Sequence, residues 1–149
     1  MIFISHRGNT VGKSDRENEP DYILETLEAG YYAEVDVWNT SNGVFLGHDI
    51  PQYEVSNDFF YSDRLLCHAK NLDAMFFLIE RDVHYFWHQE DDYILTSRSI
   101  FITHPRANLM PGSIAMLPEL KGVWTTKEMW SAAGICSDNI ARYRKVFNE

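Results

Sequence analysis

Short apolar runs alternate with polar, turn-forming stretches along the whole chain, and the spacing within each run separates strands from helices. Ile2–Arg7, Tyr32–Trp38, Val44–His48, Leu65–Lys70 and Val83–Trp87 are compact, β-branched or aromatic, and bounded by turn residues, as strands are. Tyr93–Thr96, Ile100–Thr103, Ser113–Leu117, Gly122–Thr125 and Gly134–Ser137 read the same way. Pro20 suits the first turn of a helix that ends near Gly30. Asn71 caps a second helix, in which Leu72, Met75, Phe76 and Ile79 make an apolar stripe. Lys127–Ala133 is a short third helix, and Asp138 or Asn139 caps a last one carrying Ile140, Tyr143 and Phe147.

Strands separated by helical stretches indicate repeated β/α units in one domain spanning residues 1–149. Eight units would leave roughly 19 residues each, against about 30 in a full (β/α)8 barrel. The expectation is a compressed or incomplete (β/α)8 TIM-type barrel with several short or missing helices. Strand surface stripped of its outer helices would be apolar, and a second copy of the chain in a homo-oligomer would cover it.

Composition narrows the partners. A net charge of −9 argues against nucleic-acid binding, which needs basic surface to neutralise phosphates. It leaves room for a small phosphate-containing substrate, because a few cations can reverse the sign inside one cleft. No apolar run has the length of a transmembrane segment. The opening MIFISHRG lacks the basic start and cleavage site of a signal peptide. Cys67 and Cys136 both sit in apolar surroundings, as buried small hydrophobes do, so the expected location is cytoplasmic.

Alternation inside the strands carries the chemistry, because residues two apart share a face. In Y-Y-A-E-V-D-V-W, Glu34 and Asp36 point one way and Ala33, Val35 and Val37 the other. Two like charges about 4 Å apart repel by roughly 4 kcal/mol at an effective dielectric of 20. Solvent exposure, a raised pKa or a bound hard cation would each relieve the pair. Leu66, His68 and Lys70 likewise share a face, opposite Leu65, Cys67 and Ala69. His6 and His48 each follow an apolar strand and precede a turn, where a histidine serves either as a structural hydrogen-bonder or as a proton carrier. Asp49 could orient the neighbouring ring or cap a turn. His84 and His88 are four apart but lack a third ligand nearby, which speaks against zinc.

The order H6-R-G, E17-N, E34-V-D-V and G47-H-D-I-P resembles the glycerophosphodiester phosphodiesterases. These belong to a wider group of barrel phosphodiesterases that includes phosphatidylinositol-specific phospholipase C and the spider-venom phospholipase D toxins. W124-T and G134-I-C-S-D look like the last two strands of that family in shortened form. The resemblance implies His6 and His48 as the acid–base pair, Arg7 and Lys70 as phosphate contacts, and Glu34 and Asp36 as ligands for one divalent ion, magnesium or calcium. His68 stands where the family has a carboxylate, which makes it a candidate third ligand. The implied activity is hydrolysis of a glycerophosphodiester-like substrate. Release of a cyclic phosphate, or non-catalytic binding of a phosphorylated headgroup or glycan, are the alternatives.

Overall fold

The computed structural model describes residues 1–120 and 124–148. Chain order is β1 (Ile2–His6), α1 (Pro20–Glu28), β2 (Tyr32–Thr40), β3 (Gly43–Leu46), β4 (Tyr53–Val55), β5 (Leu65–Ala69), α2 (Leu72–Ile79) and β6 (His84–Trp87). There follow β7 (Tyr93–Leu95), β8 (Phe101–Thr103), β9 (Ile114–Met116), α3 (Thr126–Met129), β10 (Gly134–Ser137) and α4 (Ile140–Asn148).

Among the described residues the strands form one mixed sheet of ten. Its centre is the parallel run β6-β5-β2-β1-β10-β9-β8. The long strand β2 pairs with β5 along one edge; the other edge takes β1 on its first half and the antiparallel β3–β4 hairpin on its second. β7 adds to β8 antiparallel. Just past β7, the Ser97 amide donates to the Tyr85 carbonyl of β6 at 2.8 Å, so the two ends of the sheet meet.

The expected (β/α)8 barrel does not form. The sheet is mixed, with antiparallel pairs at β2–β3, β3–β4 and β7–β8, and only four short α-helices occur among the described residues. The physical reason is chain length between apolar runs. Parallel strands need a crossover of a dozen residues or more, but only Ser41 and Asn42 separate β2 from β3, so the chain turns back as a hairpin. The β4 strand is an element the apolar pattern does not announce, and α3 stops at Met129, well short of Ala133. The predicted strand Gly122–Thr125 falls partly outside the described residues; Thr125 itself is the N-cap of α3, in a capping box with Glu128.

Helix α2 corrects another expectation. It is apolar on nearly every side, and the face that meets the sheet carries Ala74, Phe77 and Leu78. Of the stripe read from the sequence, Leu72, Phe76 and Ile79 point outward, 64%, 66% and 53% exposed, and Met75 alone packs partly buried against the core.

Three clusters make the core. Ala33, Val35, Val37, Leu65, Cys67 and Ala69 pack with α1 and α2 on the outer face of β2 and β5. Ile4, Leu66, Phe86, Ile94, Ile102, Ile114 and Cys136 come from seven different strands and meet on the inner face, which requires the sheet to curl. Ala115, Ile135, Ile140 and Phe147 seat α4. Both cysteines are buried free thiols. No helix of the described residues is long and apolar enough to cross a membrane.

Candidate functional site

Ligand sites in parallel α/β sheets lie beyond the carboxyl ends of the strands, where loops diverge. The inner face of this sheet is apolar near its amino ends, and one residue pair further along it turns polar. Register does the placing. His6 pairs with Glu34 across β1–β2, Asp36 with His68 across β2–β5, and His68 with Phe86 across β5–β6. Arg7 and Lys70 follow directly after β1 and β5, and Asp138 follows β10.

The side chains interlock. His6 Nδ1 donates to Asp138 Oδ1 at 2.7 Å, and Asn9 Nδ2 donates to the same oxygen at 2.9 Å. A carboxylate only accepts, so the other ring nitrogen, Nε2, is left facing Glu34 Oε2 at 4.0 Å. Asp36 is the hub: Asn18 Nδ2 donates to its Oδ2 at 2.9 Å, Arg7 Nε lies 3.0 Å from Oδ2, and Lys70 Nζ lies 3.6 Å from Oδ1. Glu17 braces the same arginine, 3.2 Å from its terminal nitrogen. Arg7 (φ 54) and Asn18 (φ 63) both take the left-handed backbone conformation, a strain of about 1–3 kcal/mol that functional sites retain.

Electrostatics split these groups. Burial pushes the Glu34 carboxyl up, and the Asp36 charge beside it adds to the push. Burial opposes ionisation of Asp36 too, but the His68 hydrogen bond and the Arg7 charge outweigh it and hold that carboxyl low. Burial drags His6 down, yet the Asp138 hydrogen bond and the Glu34 charge carry it above its ordinary value. His48 goes the other way, lowered by partial burial and by the Arg7 guanidinium.

A cation fits this chemistry. One donor atom each from Glu34, Asp36 and His68 lies within 4.8 Å of the others. His68 Nε2 lies 3.3 Å from the His88 carbonyl, which can only accept. The opposite nitrogen, Nδ1, therefore faces Asp36 Oδ1 at 3.1 Å and Glu34 Oε1 at 4.0 Å, a position for a proton or a metal ion shared with both acids. Among the described residues, Glu34 Oε2 and Arg7 Nε are buried polar atoms with no hydrogen-bond partner. Arg7 Nε is nonetheless ion-paired with Asp36 Oδ2 at 3.0 Å, whereas Glu34 Oε2 has no donor within hydrogen-bond reach, which leaves about 1–3 kcal/mol of desolvation uncompensated.

His6, Arg7, Glu34, His48, His68 and Lys70 line one cleft of about 300 Å³. His48 is on its rim, its side chain 44% exposed, with Nδ1 2.8 Å from Asp49 Oδ1. Asp49 is thus a partner of that ring, although so exposed a pair adds little stability. Gly47 fixes the approach, since a Cβ there would run into the Ile50 carbonyl, and its own carbonyl accepts from Trp38 Nε1 at 2.7 Å.

The places of three residues at or beside the cleft escape a reading by sequence. Asp138 has the one legible signal, a carboxylate immediately after an apolar strand, but that signal also fits a helix cap. His88 and His104 stack with ring centroids 4.2 Å apart on the cleft wall. His84 is elsewhere, pinned by Thr96 Oγ1 at 2.6 Å, so the spaced pair His84 and His88 does not converge.

Fold and site together define a mixed α/β protein with a histidine- and carboxylate-lined cleft at the carboxyl ends of its parallel strands. No family model, curated protein or solved structure matches the chain.

Proposed function

We propose that this protein is a metal-dependent phosphodiesterase acting on a glycerophosphodiester-like substrate. The observation that carries the reading is the unmatched buried acceptor Glu34 Oε2, grouped with Asp36 and His68 beside a cleft that Arg7, Lys70, His6 and His48 also line. A divalent cation is complementary to the two acids and His68, and a phosphodiester anion to the two side-chain cations of the cleft.

Glu34, Asp36 and His68 would hold the ion, with carboxylate oxygens favouring magnesium or calcium. Bound there, it supplies positive charge against the phosphate oxygens. Arg7 and Lys70 orient the same oxygens and offset the charge that builds on them. His48, open to solvent on the rim, takes a proton from water as its oxygen bonds to phosphorus. His6, stabilised as the imidazolium by Asp138, gives its Nε2 proton to the departing alkoxide as the second phosphorus–oxygen bond breaks. The products are an alcohol and a phosphate monoester, and the two rings exchange protons with solvent before the next turnover.

The test is turnover of glycerophosphodiesters and bis(p-nitrophenyl) phosphate with magnesium, calcium or manganese, followed by phosphorus NMR. A monoester product is expected; a cyclic phosphate would replace water by a neighbouring substrate hydroxyl. His6→Ala and His48→Ala should each lose about 10²–10⁴ in rate while melting like wild type. Wild-type turnover in both variants would end the assignment, as would no cleavage with any of the three ions.

A further inference from the structure

Two cavities open off the cleft, and their chemistry differs. One, of about 480 Å³, shares Arg7 and His48 with the cleft and is walled by polar groups, Ser14, Asp15, Asn18 and Gln52 among them. The other, of about 460 Å³, shares His88, Gln89 and His104 with the cleft and continues to Glu90, Pro105, Arg106 and Leu120. In this second chamber the imidazoles of His88 and His104 are stacked at 30° between planes. Pro105 is buried there, and Leu120 is 56% exposed. Arg106, the strong cation of the chamber among the described residues, is already engaged, with Nε 3.1 Å from Asp92 Oδ1 and its terminal nitrogen donating to the Glu90 carbonyl at 2.6 Å.

The stack is not isolated. Phe86 lies against His68 with centroids 4.7 Å apart, and His88 follows at 6.0 Å and then His104. A row of flat rings thus runs from the candidate metal ligand His68 out to the chamber. Flat rings and aliphatic edges select flat, weakly polar surfaces, and stacking adds to what burial alone contributes.

We propose that the chamber of His88, His104 and Leu120 binds a flat, uncharged organic group borne by one of the two alcohols of the phosphodiester. The hydroxylated arm then occupies the polar chamber beyond His48, and the diester bridges the two across Arg7 and Lys70. This rests on the phosphodiesterase reading and adds the character of the second alcohol.

Two synthetic substrates test it, the methyl and the benzyl ester of glycerol phosphate, assayed with magnesium. Wild type should prefer the benzyl diester by about tenfold or more in kcat/KM. His104→Ala and Leu120→Asp should bring that ratio towards one. NMR of the Leu120 methyl groups in wild type, titrated with methyl benzyl phosphate and with dimethyl phosphate, gives a readout that needs no turnover; only the benzyl compound should shift them. Equal kcat/KM for the two diesters with unmoved Leu120 signals overturns the chamber and leaves the phosphodiesterase reading intact. Leu120 signals that respond to the benzyl compound, with neither diester cleaved, support the chamber and sink the hydrolase.

Discussion

At the scale of single residues, the two histidines are separated by what surrounds them. His6 is buried against Asp138 and Glu34 and sits above its ordinary pKa; His48 is on the rim near Arg7 and sits below it. An acid and a base pushed apart in this way are both in their working forms between the two values. Activity should therefore rise with pH as His48 loses its proton below about 6.5, and fall as His6 loses its own above that. Profiles of kcat/KM check this, and Asp138→Asn should move the descending limb to lower pH. An unmoved descending limb would mean that Asp138 does not set the His6 proton. Strand alternation made the facing of Glu34, Asp36, His68 and Lys70 legible in the sequence, because period two leaves no other choice once the strand is right. Asp138 was not legible as the partner of His6, since 132 residues separate them and only the pairing of β1 with β10 brings them together.

At the scale of elements, β6 and β7 are joined by a side chain as well as by the backbone. His84 Nε2 meets Thr96 Oγ1, and burial, with Arg98 nearby, pushes that ring down to about 4. Burial and the neighbouring His88 take His104 to about 4 as well. Each binds its proton less readily folded than unfolded, so between about 6.5 and 4 the unfolded chain carries more protons. Their contribution to stability is whole above 6.5 and is lost as pH falls through that window. The melting temperature should drop across it, and less steeply in His84→Gln; identical slopes in the two proteins would show that this ring does not carry the effect. Most strands and three of the four α-helices among the described residues follow the apolar pattern closely, and α3 is the one cut short. The outward stripe of α2 does not follow it, because a helix apolar on all sides gives no signal for which face docks.

At the scale of the whole molecule, the site ties β1, β2 and β5 together at their carboxyl ends, through side chains whose like charges otherwise oppose close packing. A ligand that binds only the folded chain stabilises it by about 2.7 kcal/mol at a hundredfold excess over Kd. For a chain of this size that is a rise of about 5–10 °C in Tm. Magnesium or calcium should produce such a rise in wild type and little in Glu34→Gln; equal rises would place the ion elsewhere. By itself the sequence determined the local facts: where chains of apolar residues extend or coil, and which polar side chains share a face with which. These depend on near neighbours, whose spacing is fixed by the geometry of strand and helix. Tertiary structure decided the rest. The choice of a mixed sheet over a (β/α)8 arrangement depended on which strands had room to cross over and which had to turn back. The meeting of His6 with Asp138, and of His88 with His104, depended on strand order and register, quantities set by the packing of the entire core and written in no single stretch of chain.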